Sequence, residues 1–294
     1  MLLTQIKYFQ AVVKLGSFSK AAEECHISQS AVSQQIKSLE NELGTRLLLR
    51  HNRTFSLTEA GEHFYRKSLV ITSDLDRLVS ETKHIGGHHR TELTIGYYRG
   101  YGFTEFQNAV TEFSKLHPDV VLTAFSGNHE DLFVKIRDGQ ADMVFNDQRR
   151  ALSDEYVNNE LCEAKTYIQV ATHNPISNLD TIEIKALQNT PCILVASDRQ
   201  KENEANYYRD VLGFTGGFLF ADNLQDARMM VASNKGVMPC EISVEQNYFD
   251  ASIRQIPLLR NGKQVKRKFY AFWREDRQNE FVSEFAAILK EQFV

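Results

Sequence analysis

Between Phe18 and Leu43 the chain carries two helical patterns with only His26, Ile27 and Ser28 between their cores, which leaves room for nothing but a tight turn. The first pattern places the small residues Ala21 and Ala22 on its inner side, where they permit close helix crossing. The second, SQSAVSQQIKSLENEL, repeats Val32, Ile36, Leu39 and Leu43 at helical spacing, with Ser28 placed as its N-cap. A further helix over residues 4–15, with Ile6, Phe9 and Val13 on one face, ends at Gly16, and Ser17 caps the next. The three together read as a helix-turn-helix. The outer stripe of the third helix, Gln29, Ser30, Ser33, Gln34 and Lys37, is amide, hydroxyl and base with almost no negative charge.

Next comes LLLRHNRTFSL, two short extended runs either side of a turn at His51, Asn52 and Arg53, the pattern of a hairpin with a basic tip. The formal charge of the 294-residue chain is −4, but it is unevenly spread. Through residue 58, Lys7, Lys14, Lys20, Lys37, Arg46, Arg50 and Arg53 face Glu23, Glu24, Glu40 and Glu42, so this segment is +3 and the remainder −7. One small domain that meets phosphate, joined to a larger part that does not, fits that division.

From Thr58 the period is helical for nearly thirty residues. Leu57, Gly61, Phe64, Ser68, Ile71, Leu75, Leu78, Thr82 and Ile85 alternate spacings of four and three, a heptad seam that predicts a two-stranded coiled coil, or else a long helix packed on its own domain. Gly86 and Gly87 then break the helix as a hinge. Beyond them strands such as ELTIGYY, VVLTAF, ADMVFN, TYIQVAT, CILVAS and GFLFAD alternate with helices over residues 103–116, 129–137, 182–187, 202–212 and 224–233, and a KRKFYAFW strand and a helix over 280–293 follow. Such alternation predicts an α/β body of parallel sheet flanked by helices.

Composition narrows the function. No apolar run approaches the ~18 residues of a membrane span, and the start lacks a charged leader with an apolar segment, so a cytoplasmic protein without membrane contact is expected. Cys25, Cys162, Cys192 and Cys240 are scattered and form no CxxC pair; buried, reduced thiols are expected. His84 and His88 stand four apart, but Gly86 and Gly87 lie between them, and with His89 they read as solvated linker rather than a metal site. No GxSxG, HExxH or P-loop pattern occurs, and no cofactor is implied.

The motifs GSF at 16–18, Ala21 and Ala22, Ser28 and Gln29, IKSLE at 36–40, LGTRL at 43–47 and LTEAG at 57–61 closely resemble the head of the LysR-type transcriptional regulators. Length, stalk and βα body agree, and HNPIS at 173–177 and NKGVMP at 234–239 are similar to segments of that family's effector domain, although Asn234 stands where glycine is common. The resemblance implies α/β architecture with an all-α winged helix-turn-helix head (residues 1–58), a linker helix for dimerisation (59–87) and a periplasmic-binding-protein-like effector domain (88–294). The last would comprise two βα subdomains, 91–164 with 267–294, and 165–266, joined by crossing strands. A homodimer through the linker, a homotetramer on an interrupted palindromic operator and contact with RNA polymerase are further implications.

In that frame Gln29, Ser30, Ser33, Gln34 and Lys37 are expected at base edges in the major groove, where glutamine pairs with adenine and lysine reaches guanine or phosphate. Ser17, Ser19, Lys20 and Arg46 are expected at phosphates, and Arg50 and Arg53 on the wing at phosphates or in a narrow minor groove. The effector loops would be Tyr98, Arg99, Gly100 and Tyr101, then Ser126, Gly127 and Asn128, then Asn146, Ser197, Asp198, Asp222 and Asn223, all following strands. Arg99 is placed either on the carboxylate or phosphate of an anionic or aromatic small molecule with tyrosine rings stacked beside it, or on an Asp or Glu across the cleft or a subunit interface. Three alternatives stand beside this reading: a cysteine-based redox regulator of the same architecture, an enzyme on a binding-protein fold, and a molybdate-type regulator. An oxyanion-binding β-barrel would lack the intervening helices, which speaks against the last.

Overall fold

The structure, a computed structural model, describes residues 1–50, 54–85, 91–101, 104–242 and 251–293. The wing tip with Arg53, the hinge glycines Gly86 and Gly87, and His88 and His89 lie outside the described residues, as do the side chains of Arg50 and His84. Residues 1–89 belong to one compact unit; the chain from 90 onward, apart from residues 137–140, makes up the other.

The first unit opens with α1 (Leu3–Leu15), α2 (Phe18–Glu24) and α3 (Gln29–Leu43), then β1 (Leu48–Arg50), β2 (Phe55–Leu57) and α4 (Glu59–Ile85). Both serine caps form: Ser17 accepts from the Lys20 amide at 3.3 Å and Ser28 from the Ala31 amide at 3.2 Å, each satisfying a donor that the helix start would leave unpaired. Val32, Ile36 and Leu39 are fully buried against Phe9, Val12, Ala21, Ala22 and Leu47, whereas Leu43, predicted on the same stripe, is exposed at the helix end. Glu40 reaches out of α3 to accept the Leu47 and Leu48 amides at 2.8 and 3.0 Å, which pins the base of the antiparallel β1–β2 wing to the helix.

The single seam predicted along α4 divides in two. Its first turns pack on the head: Gly61 and Ser68 are buried, Phe9 meets Phe64 edge-on at 5.5 Å, and Gln10 donates to Ser68 and Thr72 at 3.0 and 3.2 Å. Further along, Ile71, Leu78 and Val79 are 54%, 58% and 45% exposed, so the apolar stripe there is not covered by the head.

The second unit runs β3 (Glu92–Tyr98), α5 (Thr104–Leu116), β4 (Val121–Gly127), α6 (His129–Arg137), β5 (Met143–Asp147) and β6 (Tyr156–Ala171). It continues with β7 (Ile182–Glu183), β8 (Cys192–Val195), α7 (Lys201–Asn206), β9 (Phe218–Ala221), α8 (Leu224–Ala232), β10 (Met238–Ile242), β11 (Ile253–Arg260), β12 (Lys263–Gln264), β13 (Lys266–Arg274) and α9 (Glu280–Glu291). Strands β4, β3 and β5 are parallel; β13 pairs antiparallel with β5 on one side and with β6 on the other, and β10 and β11 pair antiparallel with the far half of β6. The expected parallel strands are thus present, and antiparallel β13, β10 and β11 are added to them. Two cores result. One gathers β3, β5, α5 and α9 around Phe106, Phe113, Phe145, Phe269 and Phe285, and the other surrounds Ile168, Leu187, Cys192, Phe214, Val237 and Ile256. Strand β6 serves both, with Leu161 and Ala164 in the first lobe and Ile168 and Val170 in the second.

Three local predictions are corrected. The strand expected from Thr166 begins at Tyr156, because pairing with β13 carries the polar run YVNNEL as a ladder without apolar alternation. The short helix expected over residues 182–187 is a 3-10 helix confined to Ile184–Leu187, since Ile182 and Glu183 form β7 by pairing with β11. The helix over 202–212 becomes π-helical from Tyr207 to Leu212. Among the described residues, no helix is long and apolar enough to cross a membrane.

A β-carbon on Gly61 would stand 2.0 Å from the Leu47 carbonyl oxygen, a backbone atom that cannot swing aside. Gly61→Ala is expected to lower the stability of the head by about 1–3 kcal/mol, read as an earlier thermal transition of the full chain.

Candidate DNA-reading helix and effector cleft

The outer face of α3 is built as predicted in one respect: the side chains that the core does not use are the polar ones. Gln29, Ser30, Gln34 and Lys37 are exposed and Ser33 is half-buried. The Ser30 hydroxyl shares a 3.0 Å hydrogen bond with Ser28, so the helix start is ordered from within. Ser17 is half-buried as the α2 cap, with Ser19 and Lys20 exposed in the first turn beyond it. Arg46 is exposed where α3 gives way to the wing; together with Lys37, Glu40, Asn41, Gly44 and Thr45 it lines a groove of about 800 Å³. Lys37 and Arg46 are thus brought to one concave surface, a pairing that spacing alone does not reveal.

In the second unit the chemistry converges on buried charge at the meeting of the two lobes. Asp147, at the C-terminal end of β5, accepts from Arg149 Nε at 2.8 Å and from Arg267 of β13, and His129 Nδ1 lies 3.5 Å from its other oxygen. Arg149 then makes a two-pronged bond across the lobes to Glu204, Nη1–Oε1 2.9 Å and Nη2–Oε2 3.0 Å. Arg267 donates to Glu241 of β10 at 2.5 Å and to the Tyr208 hydroxyl at 3.2 Å. All five charged side chains are at most 8% exposed. Burial pushes the Asp147 carboxyl up, but the Arg149 and Arg267 guanidiniums outweigh it and hold it well below the usual carboxylate range. Burial likewise disfavours the charge on both arginines; for each, Asp147 leads the opposing interactions and keeps it protonated.

Tyrosines wall this cluster. The Arg149 guanidinium lies 3.9 Å from the Tyr207 ring centroid and 5.7 Å from that of Tyr98, and Tyr98 OH takes a 3.3 Å bond from the same guanidinium. Glu204, Tyr207 and Tyr208 stand at helical spacing where α7 passes into its π-helical turn, which presents all three to the arginines. The cavity left among Tyr98, Gly100, Val195, Glu204, Tyr208 and Glu241 holds about 10 Å³, room for about one water.

The loops predicted to bind an effector reach this region in different ways. Tyr98 and Gly100 line the cavity. Arg99 does not point to a carboxylate: its Nη1 donates to the Asp222 carbonyl at 3.1 Å, and its amide donates to the Gly127 carbonyl at 2.9 Å. Tyr101 is no stacking platform but a core residue, 4.9 Å from Phe145 and 5.2 Å from Phe269. Asn128 is buried and ties the lobes, donating to the Val195 carbonyl at 2.9 Å and accepting from the Ser197 amide at 3.3 Å. Asn146 faces His129 Nδ1 at 3.2 Å. Ser126 is half-buried and Gly127 buried; the Asp198 carboxylate points to solvent with Lys201 at 2.6 Å, Asp222 is exposed, and Asn223 caps α8.

Sequence reasoning missed Asp147, Arg149, Glu204, Glu241 and Arg267. Two signals were present: Asp147 ends strand β5 directly after Asn146 and Arg149 follows two residues on, and Arg267 shares the inward register of Phe269 and Ala271 in KRKFYAFW. The cysteines show no activated thiol. Burial pushes Cys162 up to about 12 and Cys192 and Cys240 higher, whereas a reactive thiol needs the opposite shift.

Residues 3–62 match the model of the bacterial regulatory helix-turn-helix protein, lysR family, and residues 86–294 match the LysR substrate binding domain. The chain belongs to the LysR family. Among curated LysR-type relatives it is 31% identical over 173 residues to the HTH-type transcriptional regulator BenM of Acinetobacter baylyi, covering 59% of this chain and 56% of BenM. It is 34% identical over 146 residues to the HTH-type transcriptional regulator BudR of Raoultella terrigena, covering 49% and 50%. The chain thus spans about half the length of these relatives, both of which are named as regulators and not as enzymes. In fold it is like the full-length CbnR structure solved with its target DNA, with a TM-score of 0.66 at 18% identity over 99% of this chain and 100% of that one.

Asp147→Asn leaves two buried guanidiniums without their shared counter-charge and is expected to cost about 3–5 kcal/mol, read as a lower urea midpoint. The native carboxyl titrates below its unfolded value of ~3.9, so its contribution is complete above that pH and is lost as pH falls through the lowered native pKa. The difference between wild type and Asp147→Asn is therefore expected to shrink in that acid range.

Proposed function

We propose that this LysR-family protein is a cytoplasmic, sequence-specific DNA-binding transcriptional regulator whose body responds to a small molecule at the inter-lobe cleft. The observation that carries the reading is the division of α3: Val32, Ile36 and Leu39 are wholly buried while Gln29, Ser30, Gln34 and Lys37 stand clear on the opposite face. Amides and hydroxyls at the start of such a helix match base edges in a major groove. Ser17, Ser19, Lys20 and Arg46, with Arg50 and Arg53 of the wing, hold phosphate in this reading. We assign the head to residues 1–58, the linker to 59–87 and the effector domain to 88–294, with subdomains of 91–164 plus 267–294 and of 165–266.

A head at +3 makes few phosphate contacts and binds weakly alone, so two heads must be joined. The exposed Ile71, Leu78 and Val79 of α4 supply an apolar stripe for a second copy, and two-fold symmetry of that pair calls for an interrupted palindrome. Assembly to a tetramer and contact with RNA polymerase extend the proposal on the family's pattern. Raised thiol pKa values at Cys162, Cys192 and Cys240 favour a small molecule over cysteine oxidation as the signal.

Gln29→Ala and Gln34→Ala are each expected to weaken binding to the specific operator by ~1–3 kcal/mol with little change on random DNA, measured by fluorescence anisotropy at fixed salt. An equal loss on both DNAs would refute base reading by α3. Ile71→Glu with Leu78→Glu is expected to shift the protein toward monomer in sedimentation and to reduce operator affinity at the same protein concentration. An unchanged sedimentation coefficient would exclude α4 as the pairing surface.

A further inference from the structure

Glu204 occupies an unusual position in the buried cluster. Asp147 is shared by Arg149, Arg267 and His129, and Glu241 is held by Arg267, all through groups on the strand framework or beside it. Glu204, by contrast, comes from the six-residue helix α7, and both hydrogen bonds of its carboxylate among the described residues go to the outer fork of Arg149. Subtracting Glu204 leaves two guanidiniums against two carboxylates, an evenly charged set. In that set Arg149 Nη1 and Nη2 lose the carboxylate they share, while the guanidinium remains 3.9 Å from the Tyr207 ring centroid and 5.7 Å from that of Tyr98. A planar two-oxygen anion is the group that fork is shaped to hold.

We propose that Glu204 is a built-in competitor for the effector subsite: the effector is a carboxylic acid whose carboxylate replaces that of Glu204 on Arg149, beside the tyrosine walls. The proposal rests on the cleft reading above and gives it a ligand class. One carboxylate exchanged for another leaves the buried charge unchanged, so no uncompensated ion is created. The exchange breaks the Arg149–Glu204 bond between the lobes, and this couples occupancy to the position of α7. A cavity of about 10 Å³ cannot admit a metabolite unless Glu204 first withdraws, so the competitor also keeps the cleft shut to neutral molecules of similar size.

The exchange makes a prediction that simple cleft binding does not. The apparent affinity of any carboxylate is reduced by the fraction of molecules in which Glu204 holds Arg149. Glu204→Gln keeps the side-chain shape and weakens that hold, so it is expected to tighten binding of propionate, succinate or benzoate by roughly tenfold or more in calorimetry of the full chain, while Arg149→Gln abolishes binding. In the unaltered protein, a bound carboxylate is expected to speed hydrogen exchange in α7 and to slow it at the end of β5; this comparison decides the matter if either variant fails to fold.

Equal carboxylate affinity in wild type and Glu204→Gln, or no change of exchange in α7 when a carboxylate binds, overturns the proposal. If putrescine or glucose instead protects the end of β5, the carboxylate assignment falls while an effector cleft stands. If none of these probes protects any part of the cleft, both fall.

Discussion

The Asp147 carboxylate is the point on which the body depends. It is fully buried at the end of β5 and receives Arg149 from the following loop and Arg267 from β13, with His129 of α6 alongside. Through those two arginines it is linked to Glu204 and Glu241, which belong to the other lobe. A carboxylate in such surroundings would be neutralised if it stood alone, and the guanidiniums would be costly without it. Each charge is tolerable only because the others are in place, so strand ends, helix α7 and strand β10 are held to one geometry.

The head is organised by a different constraint, the division of one helix between two environments. On α3 the buried Val32, Ile36 and Leu39 hold the helix against α1 and α2, and this leaves Gln29, Gln34 and Lys37 exposed on the opposite face. Glu40 links that helix to the base of the wing by accepting two backbone amides. The first part of α4 is then used up in supporting the head through Gly61, Phe64 and Ser68, and only the stretch beyond remains apolar and exposed. The exposed polar face and the exposed apolar stripe are thereby placed on separate elements of one unit.

What was legible in the sequence depended on local periodicity. The three short helices, both serine caps, the long α4 and most strands of the body announce themselves through spacing and capping chemistry, because those signals act within a few residues. Strand β6 was half hidden: its first residues, YVNNEL, carry no alternation and are strand only because β13 lies beside them. Strand β7 and the π-helical turn after Asn206 were hidden for the same reason, their conformations being decided by partners distant in sequence. At the cleft the loops could be named in advance, but not their use. Tyr101 turned inward to Phe145 and Phe269, and Arg99 took a backbone carbonyl, while Arg149 formed the bidentate carboxylate bond that had been considered for Arg99.

The sequence by itself determined the family, the helix-turn-helix and the polar outer face of α3, since each rests on motifs and periods that are local in the chain. Tertiary structure alone decided that Asp147, Arg149, Glu204, Glu241 and Arg267 form one buried cluster, because these residues lie up to 120 positions apart along the chain, on three strands, a loop and a helix. It also decided which part of the α4 stripe is spent on the head. The reason is the same in both cases: helical and strand periods state which face of an element is apolar, and only packing states what that face meets.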